Sequence, residues 1–283
     1  MTAPAHWWPR CSAVALAAAL CIALTGCAAP TPAPAHTATV TPGPAAQKHI
    51  AAAQAALKAG KFDGARQEAA AAVQADPNSS EAQYLLGNAY NRMAGAETDA
   101  QKARDDLSKA VDAYMAAIRL DAANGAAYTN LATVYYQNGQ FDEAQKQVEQ
   151  ALKLKPDDPT SHYVLGTIYL QRDPKQAADT LDKAQAEFEA AIKSDARMGA
   201  AYIGLANVYL FRADYPKALQ NAQKGVELTQ DSPSPYAYWA LAQAQCASGD
   251  KTGGAKSIER INSFNPSDPL FKQQVQALAD RCK

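Results

Sequence analysis

A helix–turn–helix pattern of 34 residues, present in six successive copies, constrains the fold of this chain more than any other feature. The clearest copy is residues 125–158, GAAYTNLATVYYQNGQFDEAQKQVEQALKLKPDD. Its apolar residues fall on one face of each of two helices, with a turn at Gly139 and an end at Pro156. These residues are Tyr128, Leu131, Ala132 and Tyr135 in the first helix, and Phe141, Ala144, Val148, Ala151 and Leu152 in the second. Such a hairpin buries its apolar face only against its neighbours, so the pattern predicts a stack of helical hairpins.

The other copies keep nearly the same phase. They span about 46–79, 80–124, 159–198, 199–234 and 235–268, and a last helix over about 269–282 is predicted to cap the stack. Gly254 stands where the other second helices carry alanine. The large residues at repeated positions are predicted to be core packing rather than a cofactor site, and they include Tyr90, Tyr128, Tyr135, Tyr169, Tyr202 and Tyr209.

This pattern resembles the tetratricopeptide repeat (TPR) in its period and in its alternation of small and large residues. The resemblance covers residues 46–268 and implies an all-α fold, a right-handed α-α superhelix of six repeats with a capping helix at 269–283. It also implies a protein that holds other proteins rather than one that does chemistry.

Two repeats carry extra residues between their helices. Repeat two has about 11 extra residues near 94–104, and repeat four has about six near 173–179. Both insertions are charged and favour helix, so we expect them to lengthen the second helix at its start, with Asp173 and Pro174 as the helix entry in repeat four. The lengthened helices form either a ridge that binds a partner or solvated extensions.

In TPR proteins the concave surface is lined by first-helix positions that point away from the second helix. The resemblance therefore implies a partner-binding surface lined by Tyr84, Asn88, Asn91, Arg92, Thr129, Thr133, Tyr136, Gln137, Tyr163, Thr167, Leu170, Gln171, Ile203, Asn207, Leu210, Phe211, Trp239 and Gln243. Towards the C-terminal end this lining becomes apolar, and Leu170, Leu210, Phe211 and Trp239 are expected to form an adhesive patch. The alternative is that the terminal helix folds back over part of the patch.

The first 26 residues resemble a bacterial lipoprotein signal peptide. Arg10 precedes an apolar run of 14 residues, Cys11 to Leu24, which is too short to span a bilayer as a helix. Residues 24–27, Leu-Thr-Gly-Cys, then resemble a lipobox, which implies cleavage before Cys27 and its lipidation. The alternative is an ordinary secretory peptide with an incidental Cys27. Residues 27–45 contain five prolines and are predicted to be a tether.

The remaining composition argues against catalysis and against nucleic acid. Lys and Arg number 27 against 28 Asp and Glu without long runs of either sign, so a nucleic-acid footprint is missing. His162 is interpreted as a satisfied packing residue, and we expect no metal site, no cofactor and no enzymatic activity.

After export, only Cys246 and Cys282 remain as unmodified thiols, and they are predicted to pair in a disulfide, the alternative being two buried thiols.

These features together predict a lipid-anchored adaptor or scaffold that binds an envelope protein, on the outer membrane and facing the periplasm. The combination of lipobox, short tether and six repeats also resembles the pilotins of type IV pilus secretins. A purely structural, self-associating envelope spacer is the other alternative. The partner's identity and the oligomeric state are not determined by the sequence.

Overall fold

The computed structural model of the protein describes residues 42–172, 177–266 and 268–283, and within these ranges the chain forms thirteen α-helices and no strand. The all-α fold class is thereby confirmed. The helices are α1 Pro44–Lys58, α2 Phe62–Ala75, α3 Ser80–Ala96, α4 Ala100–Leu120, α5 Gly125–Gln137, α6 Phe141–Leu154, α7 Pro159–Arg172, α8 Ala178–Ser194, α9 Gly199–Phe211, α10 Tyr215–Leu228, α11 Pro235–Ala247, α12 Lys251–Ser263 and α13 Pro269–Arg281.

The helices belong to two compact units, one ending at Gln140 and the other beginning at Phe141. In the N-terminal unit, residues 42–140, α1 pairs with α2 and α3 with α4, while the first helices α1, α3 and α5 contact one another in order. In the C-terminal unit, from residue 141 on, α7 pairs with α8, α9 with α10 and α11 with α12, and the first helices α7, α9 and α11 contact in the same way. Each unit is therefore built from stacked hairpins of the TPR type.

Small residues let the helices of a unit approach closely. In five of the six second helices, an alanine at the same repeat position is fully buried, namely Ala65, Ala110, Ala144, Ala184 and Ala218, while α12 has Gly254 there. The turn that joins the helices takes a positive φ at Gly60, Gly139 and Gly249, a conformation that favours glycine because it has no Cβ. Ala213 occupies the equivalent turn position with φ 57°.

The insertion in repeat two lengthens both of its helices rather than the second helix alone. Helix α4 has 21 residues and α3 has 17, against 14 in α6 and 13 in α5. Asp99 caps the start of α4 by accepting hydrogen bonds from the N–H groups of Gln101 and Lys102. In repeat four, α8 begins at Ala178 and has 17 residues, whereas Asp173 and Pro174 lie outside the described residues.

The last hairpin is closed by α13 and by a disulfide between Cys246 and Cys282. Helix α13 packs Phe271, Val275 and Leu278 against the ends of α11 and α12. The glycine at position 254 has a local cause, because a Cβ there would lie 2.5 Å from the Sγ atoms of both cysteines. The bridge therefore fills the space that an alanine side chain fills in the preceding hairpins.

Candidate protein-interaction surface

An aromatic residue of a second helix lies against a glycine of the first helix in the N-terminal unit. Tyr114 on α4 is completely buried, and a Cβ on Gly87 of α3 would lie 2.7 Å from its ring. Because α3 has no side chain at this point, the ring of Tyr114 passes between the helices and its hydroxyl emerges beside Asn88. Burial raises the pKa of Tyr114 well above its usual value, and the neighbouring Tyr84 raises it further, so the hydroxyl stays protonated and acts as a donor.

A polar network forms where this hydroxyl emerges. The Tyr114 hydroxyl donates to Asn88 Oδ1 at 2.8 Å, and Nδ2 of Asn130 on α5 donates to the same oxygen at 2.7 Å. Nδ2 of Asn130 also donates to the Tyr84 hydroxyl at 3.3 Å. These two donors fix the side-chain amide of Asn88 with its oxygen directed towards Tyr114 and Asn130. Its Nδ2 group is then oriented as a donor on the lining formed by the first helices.

The equivalent place in the C-terminal unit is apolar. Phe188 on α8 is 1% exposed and lies between two first-helix glycines. A Cβ on Gly166 of α7 would lie 2.9 Å from its ring, and a Cβ on Gly204 of α9 would lie 2.5 Å from it. The ring of Tyr163 also contacts that of Phe188, with ring centroids 6.0 Å apart and the ring planes tilted by 48°. This site is a sealed aromatic core with no polar group reaching through it from α8.

Three residues expected on the lining, Leu170, Trp239 and Thr129, are buried, which corrects the sequence prediction for them. Leu170 is 2% exposed because it packs with the core of α8 and α9, and Trp239 is 6% exposed because Phe271 of α13 covers it. Thr129 is 5% exposed, and its hydroxyl bonds to the Gly125 carbonyl oxygen. Ile203 remains partly exposed, although its Cδ1 packs against Gly225 of α10, where an added Cβ would lie 2.5 Å from it.

The apolar patch expected at the C-terminal end is therefore reduced to Leu210 and Phe211, both partly buried. The terminal helix does cover part of it, as the alternative held. The lining residues that remain at least partly exposed are mostly amides and hydroxyls: Tyr84, Asn88, Asn91, Arg92, Thr133, Tyr136, Gln137, Tyr163, Thr167, Gln171, Ile203, Asn207, Leu210, Phe211 and Gln243. Of these, Arg92 alone carries a formal charge.

One lining position carries an uncharged hydrogen-bonding side chain in every repeat: Gln54, Asn88, Thr133, Thr167, Asn207 and Gln243. The sequence prediction omitted Gln54 because repeat one was treated as a terminal repeat of small residues. It also omitted Tyr114 and Asn130, which hold Asn88 in place. The sequence did contain a signal for this network, namely a tyrosine on the second helix opposite a glycine on the first helix. Because the glycine has no side chain, the tyrosine hydroxyl can pass beyond the core.

Arginines at the ends of two first helices tie neighbouring hairpins of the C-terminal unit together. Arg172 donates to Gln145 at 2.6 Å and pairs with Asp142 at 2.7 Å. Arg212 makes the same two contacts, at the same sequence separations of 27 and 30 residues, with Gln185 and Asp182. These pairs are solvent-exposed, so each contributes at most about 1 kcal/mol to the free energy of unfolding. Because both guanidiniums are paired, they are less available to bind a ligand.

Both described histidines are engaged in contacts with glutamates. His162 bonds through Nδ1 to Glu187 at 2.6 Å and through Nε2 to the Pro156 carbonyl oxygen at 2.8 Å, so both of its ring nitrogens are engaged. His49 contacts Glu68 at 2.7 Å. Over residues 42–172, 177–266 and 268–283, no three His, Cys, Asp or Glu side chains come together as a metal site.

Three family models for the tetratricopeptide repeat match the chain, over residues 50–122, 113–146 and 133–172. Together with the stacked hairpins, these matches support the TPR family for this protein. TPR repeats are protein-interaction modules, and proteins of this fold are generally non-catalytic scaffolds. A search of curated proteins finds no match.

Solved structures with similar folds include TPR proteins of different origin. A chain of the APC/C hetero-tetramer Cut9–Hcn1 aligns with a TM-score of 0.70 at 17% identity, over 84% of this chain but only 42% of that one. PilF of Pseudomonas aeruginosa aligns with a TM-score of 0.63 at 17% identity, over 82% of this chain and 97% of that chain. A thermophilic TPR protein of Thermus thermophilus gives 0.56 at 18% identity, over 71% and 98%. At these levels of identity, the similarity shows a shared fold and nothing further about function.

The N-terminal predictions fall largely outside the described residues. The signal peptide over 1–26, the lipid site at Cys27 and the tether up to residue 41 all lie there. Helix α1 begins at Pro44, so the last two residues assigned to the tether are helical. Among the described helices, none combines the length and the apolar character needed to cross a membrane.

Proposed function

We propose that this protein is an adaptor that binds a segment of another protein along the lining of its first helices. The observation that carries the proposal is the network at Asn88, whose oxygen accepts from Tyr114 and Asn130 at 2.8 and 2.7 Å. The Tyr114 ring packs the core, but its hydroxyl reaches beyond the core and, with Asn130, fixes the orientation of a partly exposed amide, as a preorganised binding surface requires. Asn88 Nδ2, together with the neighbouring Arg92, offers donors for the carbonyl or carboxylate oxygens of a bound chain.

Photocrosslinking tests this proposal directly. A photoreactive amino acid is placed at Asn91 on the first-helix lining, and in a matched protein at Met115 on α4, which is 41% exposed. In cells of the source organism, position 91 should give a discrete crosslinked partner that position 115 does not give. Equal crosslinking from both positions, or none from position 91, would contradict the use of this surface.

The adaptor is proposed to act from the outer membrane, held by a lipid on Cys27 and facing the periplasm. Residues 24–27 directly after the apolar run support this proposal, as do the five prolines of the following segment. Three acyl chains, at about 0.8 kcal/mol per buried methylene, would make such anchoring permanent on the cellular timescale. Cys27→Ala should abolish labelling by an alkyne-tagged palmitate and release the protein from membranes in alkaline carbonate. Retention of both properties would refute the anchor.

Assembly of a secretin is the narrower candidate function. The resemblance in overall build to pilotins, with a lipobox, a tether and six repeats, favours it. Deletion of the gene should then leave the organism's secretin monomeric in membrane extracts, and unchanged secretin multimers would exclude this role while leaving the general adaptor proposal intact. Self-association of the purified protein without any crosslinked partner would instead favour a structural spacer.

A further inference from the structure

Charged residues are almost absent from the first helices of the C-terminal unit. Helices α9 and α11 contain no Asp, Glu, Lys or Arg. Helix α7 contains Arg172 alone, and that guanidinium is paired with Asp142 and bonded to Gln145. By contrast, the second helices α6, α8, α10 and α12 all carry several charges of both signs. Solubility is thus supplied by one set of helices, while the other set is kept neutral.

Besides Tyr163 and Ile203, the partly exposed lining of these neutral helices includes Thr167, Gln171, Asn207, Leu210, Phe211 and Gln243. The hydroxyl of Thr167 donates to the Tyr163 carbonyl oxygen of its own helix at 2.8 Å. The amides of Gln171, Asn207 and Gln243 offer both donors and acceptors, which match the N–H and C=O groups of a peptide backbone. Leu210 and Phe211 offer apolar contact area beside Asn207.

A charged side chain of a partner would be poorly received here. Docking would remove water from the charge. The six lining residues carry no opposite charge, and the adjacent guanidiniums of Arg172 and Arg212 are already paired with Asp142 and Asp182, so the desolvation penalty would stand uncompensated. A neutral segment has no such penalty, and its backbone amides find partners in the three side-chain amides. The lining therefore discriminates by excluding charge rather than by attracting it.

We propose that this neutral face, formed by Thr167, Gln171, Asn207, Leu210, Phe211 and Gln243, binds an extended partner segment without charged side chains along the contact. The amides hold its backbone, and Leu210 and Phe211 receive its apolar side chains. This inference rests on the proposed adaptor function and specifies the chemistry of the partner.

A peptide selection on the immobilised full chain tests the inference. Random displayed segments of about 12 residues, about 40 Å when extended, are selected for binding. The enriched segments should be depleted in Asp, Glu, Lys and Arg relative to the input library. Their affinities should change less than about twofold between low and high salt, because no ion pair is there to be screened.

Two matched variants place the binding on this face. Asn207→Lys introduces a charge into the lining and should weaken the selected segments by about tenfold or more, since the new ammonium loses water without a partner. Gln223→Lys makes the same change at an exposed position of α10 and should leave the affinity unchanged. Phe211→Ala should also weaken binding, through loss of apolar contact.

The outcomes separate the inference from the adaptor proposal. Enriched segments rich in charge, with affinities that fall about tenfold as salt is raised, would overturn the neutral face while supporting the adaptor. Neutral segments whose binding is indifferent to Asn207→Lys would overturn the placement on this face. A selection that enriches nothing, combined with no crosslink from position 91, would overturn both.

Discussion

Tyr114 in the N-terminal unit and Phe188 in the C-terminal unit occupy the same place in their repeats, yet their surroundings differ. Each ring lies over a first-helix glycine, Gly87 or Gly166, at a distance that leaves no room for a Cβ. Above Tyr114, Asn130 of the next first helix completes a hydrogen-bond network with Asn88. The residue that corresponds to Asn130 above Phe188 is Gly204, which lets the ring seal the space.

The comparison shows that one backbone feature serves two purposes. The glycine of the first helix has no side chain and leaves a slot between the helices. A tyrosine that enters this slot from the second helix places its hydroxyl at the lining, whereas a phenylalanine fills the slot with apolar atoms only. The N-terminal unit thereby gains a surface amide with a fixed orientation, and the C-terminal unit gains an apolar core beneath a neutral lining. Four experiments probe how the two units differ, beginning with the greatest expected loss of stability.

Removing either aromatic ring should have the largest effect. Tyr114→Ala and Phe188→Ala should each lower the free energy of unfolding by about 3 to 5 kcal/mol, because each empties a fully packed slot. Urea denaturation followed by circular dichroism measures both values, with Met115→Ala on the surface of α4 as the control. If Tyr114→Ala costs less than about 1 kcal/mol, its ring is not a packing element and the equivalence of the two slots is wrong.

Placing an asparagine at the position above the Phe188 ring should show that this slot, unlike the slot of Tyr114, has no room for a side chain there. Gly204→Asn copies Asn130 into the C-terminal unit and should cost about 1 to 3 kcal/mol, since its Cβ would overlap the Phe188 ring. Gly95→Asn is the matched control, because a Cβ on this α3 glycine meets nothing within 4 Å. Equal stability of the two variants would show that the Phe188 slot has spare room.

Removing the hydroxyl of Tyr114 should break its hydrogen bond to Asn88 while lowering the free energy of unfolding only slightly. Tyr114→Phe should cost about 0.5 to 1.5 kcal/mol, the usual net value of one hydrogen bond. Combined with Asn130→Ala in a double-mutant cycle, it should show coupling, because both groups donate to Asn88 Oδ1. Tyr215→Phe, at a partly exposed tyrosine of α10, is the control and should be neutral. Strict additivity of Tyr114→Phe and Asn130→Ala would refute a shared network.

Acid should weaken the start of α7 in the C-terminal unit slightly more than the start of α3 in the N-terminal unit. The start of α7 is capped by Asp158, which accepts from the Ser161 N–H, whereas α3 is capped by the non-titrating Ser79. Burial by itself raises the pKa of Asp158, but hydrogen bonds from Ser161 and Lys155 outweigh it and lower the pKa below its usual value.

A lowered folded-state pKa means that Asp158 contributes its stability above the ordinary aspartate pKa of about 3.9 and loses it as pH falls through the folded value. The loss should be less than about 1 kcal/mol, because solvent screens this carboxylate. Hydrogen exchange of α7 and α3, compared at about pH 6 and about pH 3, measures it. The neutral Asp158→Asn keeps a cap but should remove the pH dependence of α7, and an unchanged dependence would assign the effect elsewhere.

The periodicity of the sequence predicted the hairpins and the capping helix, because these features depend on local spacing. It predicted the turn at Gly139 for the same reason, and the structure gives that residue a φ of 73°. The lining was predicted less well. Leu170 and Trp239 have the correct helical phase, but α8 and α13 cover them, and helical phase contains no information about which neighbour extends over a residue.

Tyr114 shows the reverse case, which the sequence prediction omitted. Its ring is buried like that of Phe188 at the same repeat position, but a tyrosine is long enough for its hydroxyl to pass the glycine and reach the opposite side. The polar half of the side chain therefore belongs to the surface and the apolar half to the interior. Assigning one environment to each residue misses this division.

The crowding at Gly254 also bears on the ancestry of the last hairpin. An alanine there and a bridge between Cys246 and Cys282 exclude each other, because a methyl group would occupy the space of both sulfurs. A lineage that acquired the bridge had to lose the methyl group first or together with it, and a lineage that loses the bridge is left with a gap that alanine refills. Related chains should therefore inherit the three positions as a set, with glycine wherever both cysteines occur and alanine wherever they do not.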